Sequence, residues 1–249
     1  MQYHSVLVEK ESSIAVVTLN RPQALNALTV DLMKEISAAF KELEEDEAVN
    51  AVVLTGGIEA FCAGFDMDTV IHGDKSVIID GFLEAFIRIL KFPVPVIAAV
   101  TGPALAAGFD LMVMADIRVF SEKVRVGQPE IRWALTPLSD PLWKIIGMGR
   151  AKEVTMTGRI YGAQEAKEMG LANFIYSQET FLDEAKNLAR KIAAFDRAAL
   201  KANKEQTNRV PGMEVEAAIR TQLWTFCSFV GSPGMVERMT AFLESNRRK

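Results

Sequence analysis

The sequence predicts an α/β fold, with a core of alternating strands and helices over residues 1–177 and a helical region over residues 178–249. Three observations carry this reading. Short apolar runs of strand character alternate with helical periodicity through the first two thirds of the chain. From about residue 178 onward only helical periodicity remains, broken at Pro211-Gly212 and Ser232-Pro233. A chain of 249 residues with 49% hydrophobic content can bury one large core, and no low-complexity linker sets the helical part aside, so it reads as an appendage for packing and oligomerisation.

The elements follow in order. "SVLVE" (5–9) and "IAVVTL" (14–19) flank the polar "KESS" and read as a hairpin. Thr29 caps an amphipathic helix that carries Leu32, Met33, Ile36, Phe40 and Leu43 on one face. "AVVLTGG" (51–57) is a short buried strand stopped by glycines. A helix is expected over 77–91, then the strand "VPVIAAV", a helix after Gly102 and a strand at "DIRVF" (116–120). In "GRIYGAQEAKEMGLANFIY", Gly170 is placed as a helix C-cap.

Composition excludes several functions. The net charge is −4, from 28 basic and 32 acidic residues, and no basic block offers the clustered charge that a nucleic acid requires. Cys62 and Cys227 form neither a metal-ligand spacing nor a disulfide framework, which suits a reducing compartment. The amino terminus, "MQYHSVLVEKESS", has neither an apolar signal region nor an Arg-rich presequence, and a cytoplasmic protein is expected. Residues 92–115 are apolar for long enough to cross a bilayer, yet Pro93, Pro95, Gly102, Pro103 and Gly108 interrupt them, so a strand feeding a helix is expected and no membrane partner. His4 and His72 lie in polar segments, and there is no Gly-x-Ser-x-Gly, P-loop or dinucleotide fingerprint. No metal site and no cofactor is expected.

One residue contradicts its surroundings. From Phe92 through Ala115, Asp110 is the only ionisable side chain. It closes the second of two segments with a shared design: "AVVLTGG…AFCAGFD" and "VIAAVTGPALAAGFD" each run from an apolar strand through glycine and small residues to Gly-Phe-Asp. Such turns present backbone N–H groups that a helix cannot satisfy itself, and two of them face to face can hold one oxyanion. Close helix–strand packing accounts for the same pattern equally well.

The segments "NRPQALNAL" (20–28), "AFCAGFDM" (60–67), "PVPVIAAVTGPALAAGFDLMVMADIRV" (93–119), "VGQPEI" (126–131) and "GRIYGAQEAKEMGL" (158–171) together resemble the crotonase, or enoyl-CoA hydratase/isomerase, superfamily. The resemblance implies a spiral of ββα units with a carboxy-terminal helical trimerisation region, an acyl-CoA thioester as substrate, and a homotrimer or dimer of trimers. It implies an oxyanion hole made by the N–H groups of Phe65 and Ala107, the latter where the family usually has glycine. It implies that Ala24, Leu25, Ala63 and Asp66 meet the coenzyme A part of the substrate, largely through backbone atoms. Two family glutamates correspond to Asp110 and Glu130, 20 residues apart, the acid and base that addition of water across a double bond requires. An apolar surround raises a carboxyl pKa toward working pH.

Two departures keep the reaction open. Aspartate at 110 is one methylene shorter than glutamate. The loop after Glu130, "IRWALTPLSDPLWKIIG", is shorter than the family's usual form and lacks its glycine-rich stretch, with Asp140 the nearest candidate for a third acid. Trp133 and Trp143 flank that loop as candidates for an acyl pocket or for the core. Three functions are therefore carried forward: a hydratase using Asp110 and Glu130, a Δ3,Δ2-enoyl-CoA or dienoyl-CoA isomerase relying mainly on Glu130, and a non-catalytic binder or scaffold for CoA thioesters.

Overall fold

The computed structural model describes residues 3–247. Among the described residues, nine strands form two sheets. They are β1 (Val6–Glu11), β2 (Ile14–Leu19), β3 (Ala51–Thr55), β4 (Val96–Val100), β5 (Pro103–Leu105), β6 (Ile117–Ser121), β7 (Arg125–Gly127), β8 (Ile160–Gly162) and β9 (Phe174–Tyr176). The larger sheet has the order β1-β2-β3-β4-β6-β9, and the smaller β5-β7-β8. The hairpin β1–β2 is antiparallel, and every later pairing of the larger sheet is parallel.

A parallel sheet is covered on both faces, which is why β3 and β4 read as unbroken apolar runs with every residue buried. Successive side chains go to opposite faces. Val17, Val52, Leu54 and Ala98 join the larger core with the helices Val30–Glu44 and Lys75–Leu90. Val16, Val53, Ile97 and Ala99 meet Phe181, Ala185 and Ala189 of the helix Phe181–Ala193.

That helix corrects the expected boundary at 177/178. The first compact unit is Met1–Ala194 and the second is Phe195–Lys249. The row Phe181, Ala185, Ala189 lets the helix sit close on the sheet, so it belongs to the core although its periodicity resembles that of the helices after it. The second unit, by itself, consists of the helices Arg197–Arg209, Val215–Phe229 and Pro233–Arg247, separated where Pro211-Gly212 and Ser232-Pro233 were expected to break them.

The apolar run 92–115 resolves into β4, β5 and the short helix Ala107–Val113. Among the described residues no helix is long and apolar enough to cross a membrane. The helix expected after Gly102 is Ala107–Val113, and between the two Pro103–Leu105 pairs with β7 as a strand that the sequence did not show.

Candidate active site

Three stretches lie side by side through main-chain bonds. Residues 61–66 occupy the middle. On one side the Phe61 N–H donates to the Thr101 carbonyl (2.8 Å), Cys62 N–H to Pro103 (2.9 Å), and Leu105 N–H to the Cys62 carbonyl (3.0 Å). On the other, Ala63 N–H donates to Leu25 (2.9 Å), Leu28 N–H to Gly64 (2.8 Å) and Asp66 N–H to Leu28 (3.0 Å). The sequence explains the closeness. Gly64 has φ +110°, and a Cβ there would stand 2.9 Å from both the Leu105 carbonyl oxygen and the Ala106 methyl. At Gly108 a Cβ would come within 2.3 Å of the Cys62 carbonyl oxygen.

Asn26 fastens this layer. It is buried, and its amide donates to the carbonyls of Gly56 (3.0 Å), Ala60 (2.9 Å) and Phe61 (3.2 Å) while its oxygen accepts from the Arg21 N–H. Leu25 and Asn26 both take positive φ to make the turn.

The two expected oxyanion donors are left available by this pairing. Leu28 bonds to the residues either side of Phe65, so in parallel geometry the Phe65 N–H points away from residues 25–28, toward the side where residues 103–105 lie. Ala107 opens its helix, where the N–H has no partner in the preceding turn. Among the described residues neither N–H donates a hydrogen bond. Ala107 is itself helical and is not among the residues with positive φ. The strain falls one residue earlier: Ala106 has φ +50° and ψ −127°, a conformation that a Cβ disfavours.

Asp110 sits on the first turns of the same helix and is buried. Glu130 lies on the 3-10 turn Pro129–Trp133 that follows β7, and is also buried. Burial, and then the charge of Glu130, hold the Asp110 carboxyl well above the usual carboxylate range, opposed by a hydrogen bond from Gln128. Burial pushes the Glu130 carboxyl up as well. Gln128 Nε2 donates to Asp110 Oδ1 (2.5 Å) and to the Leu138 carbonyl (2.8 Å). Gln128 Oε1 and Glu130 Oε2 are buried acceptors with no partner.

The charge of Glu130 is felt at Asp110, and residues 63–66 lie along residues 25–28, with Ala63 bonded to Leu25 and Asp66 to Leu28. Asp66 also caps the helix Met67–His72 through the Thr69 N–H and stands 3.5 Å from Arg21. Asp140 is not brought to the acid pair. Its carboxylate lies at the surface, where Trp143 Nε1 (3.1 Å) and Lys144 Nζ (2.8 Å) take its two oxygens, so this acid is engaged by side chains of the helix Leu142–Ile146 that follows it. Trp133 is exposed rather than part of the core. Gln128 and Asn26 stand within the motifs that carry the resemblance, and the sequence alone gives neither a role. The signal for Gln128 was its place two residues before Glu130, on the same turn. Among the described residues no group of His, Cys, Asp and Glu is arranged to hold a metal.

Residues 9–249 match the model of the enoyl-CoA hydratase/isomerase family. The chain belongs to that family. A relative described as a probable enoyl-CoA hydratase of Rhizobium meliloti is 36% identical over 254 residues, covering 99% of this chain and 98% of its own length. A short-chain-enoyl-CoA hydratase of Clostridium acetobutylicum is 36% identical over 256 residues, covering 99% and 97%. The crystal structure of an enoyl-CoA hydratase from Bacillus anthracis superposes with a TM-score of 0.92 at 28% identity, covering 97% of each chain. The family member described here is therefore a crotonase-fold enzyme of the hydratase/isomerase class, acting on CoA thioesters.

Proposed function

We propose that the protein is an enoyl-CoA hydratase, adding water across the α,β-double bond of a 2-enoyl-CoA thioester. The N–H groups of Phe65 and Ala107 receive the thioester oxygen as it gains enolate charge. Glu130 transfers the proton at Cα, and Asp110 acts with it on the water that attacks Cβ. The coenzyme A part of the substrate runs along the backbone of Ala24, Leu25, Ala63 and Asp66, and the chemistry calls for no further cofactor. The observation that supports this reading best is the pair of buried carboxyls, Asp110 and Glu130, each raised above its ordinary range in one site. The helices of the second unit make a homotrimer or a dimer of trimers.

A second reading is an isomerase in which Glu130 alone shuttles the proton. It is favoured by the short Asp110 side chain being tied back by Gln128. Incubation with 2-enoyl, 3-enoyl and dienoyl CoA thioesters, with products identified by mass and ultraviolet absorbance, separates the two. Glu130→Gln is expected to lower turnover by roughly 10²–10⁴-fold while leaving CoA-ester binding nearly intact. Unchanged turnover on every substrate would overturn the assignment of Glu130, and a protein inert toward all of them would leave a CoA-thioester binder.

A further inference from the structure

Gln128 has no part in the chemistry just described, yet it is a fully buried polar side chain inside the site. Its amide can face only one way. The Leu138 carbonyl accepts and cannot donate, so the atom 2.8 Å from it must be the nitrogen. The same nitrogen reaches Asp110 Oδ1 at 2.5 Å, which uses its second N–H. Oε1 is thereby turned to a place where it has no donor, and Glu130 Oε2, two residues along, has none either. Buried acceptors without donors are costly, and each is relieved by a hydrogen-bond donor. Water is such a donor, and water is what hydration consumes.

We propose that Gln128 is a water-holding residue, accepting a hydrogen bond from the reacting water through Oε1 while its Nε2 fixes the orientation of Asp110. The proposal rests on the hydratase reading. Where a glutamate at 110 would extend one methylene further, the amide oxygen of Gln128 supplies the second acceptor. The water oxygen then forms its bond to Cβ and one water-derived proton is delivered to Cα, so nothing is left over. The loop beyond Glu130 enters the reaction through Leu138, whose carbonyl sets the amide.

The test compares two reactions of the same site: hydration of a 2-enoyl-CoA, and solvent deuterium exchange at Cα of a saturated acyl-CoA, which needs the oxyanion hole and Glu130 but no water held for attack. Gln128→Met, similar in size and without either polar end, is expected to lower hydration kcat by about 100-fold, with KM and the exchange rate within about threefold to fivefold of wild type. Gln128→Glu, which keeps the shape but cannot donate to Asp110 and Leu138 together, is expected to lose hydration by at least tenfold and to keep exchange, and it carries the test if the methionine variant does not fold. Hydration by both variants within threefold of wild type would overturn the proposal alone. Equal loss of hydration and exchange would also overturn it, since that is the mark of a purely structural role. A wild-type protein that exchanges but does not hydrate would overturn the water assignment. One that does neither would overturn the hydratase reading and the proposal with it.

Discussion

Position 110 places a carboxyl on a helix in which every residue is buried, and the cost of that burial has a sign that can be measured. Its native pKa is raised, so between the ordinary carboxylate range and the native value the folded protein binds more protons than the unfolded chain. The contribution of this one group to stability is therefore fullest below the ordinary carboxylate range and is lost as pH rises through the native value. Asp110→Asn is expected to raise the melting temperature at pH 8, with the gain shrinking toward pH 4 in a thermal-unfolding series. The same variant is expected to be as inactive in hydration as Glu130→Gln if the hydratase reading holds, and to keep most double-bond migration if Glu130 works alone. Asp110→Glu is expected to increase hydration if reach is the limiting factor. Ala106 offers a second residue-scale test. Its positive φ costs of order 1–3 kcal/mol for a residue with a Cβ. Ala106→Gly relieves this at an entropic cost of about 0.4–1 kcal/mol, so calorimetry is expected to show a net gain of roughly 1 kcal/mol, or about 2–4 °C.

At the scale of elements, the regular parts of the core were legible because their signals are local. "IAVVTL" is the strand Ile14–Leu19, and Thr29 caps Val30–Glu44 with the expected apolar row buried. The strands β5, β7, β8 and β9, each three residues long, were not read as strands. A three-residue strand has too few alternations to form a pattern, and its existence is decided by a partner distant in sequence. The site divides along the same line. Asp110 was conspicuous as a lone charge in an apolar run. Gln128 was not, because an uncharged amide beside a glycine, a proline and a glutamate has nothing to mark it until the Leu138 carbonyl arrives ten residues later. Asp140 misled for the converse reason: sequence shows that an acid lies near, but not that Lys144 one turn along will claim it. The element that positions both Asp110 and the Ala107 N–H depends on Gly108, so Gly108→Ala is expected to destabilise the fold by several kcal/mol or to prevent soluble expression, since backbone rather than a flexible side chain stands in the way.

At the scale of the molecule, the second unit leaves large apolar side chains uncovered. Leu223, Trp224, Phe226, Val230 and Phe242 are all more than half exposed. Large apolar side chains exposed in this number mark association sites, and a closed symmetric oligomer is the arrangement that covers them in every copy. Sedimentation is expected to show trimers or hexamers at micromolar concentration, and Phe226→Asp is expected to shift the distribution toward smaller species. A stable wild-type monomer would contradict the assembly.

The layer formed by residues 25–28, 61–66 and 101–105 is paired strand to strand through peptide groups, with the Asn26 side chain fastening it, and this bears on how the site can drift over generations. Under the proposed function, polar recognition there falls to atoms that every residue shares, and the constraint expected on these positions is one of bulk, not of chemistry. A saturation library across Ala63, Gly64, Ala106, Ala107 and Gly108, selected for retained catalysis, is expected to sort survivors by side-chain volume, with serine faring about as well as alanine at 63 and 107 and valine failing at both. Asp110 and Glu130, whose functional groups are side chains, are expected to give the opposite profile, indifferent to neither charge nor length. Two such contrasting tolerances within a few ångströms would be the genetic signature of a pocket whose binding is written in the main chain and whose reactivity is not.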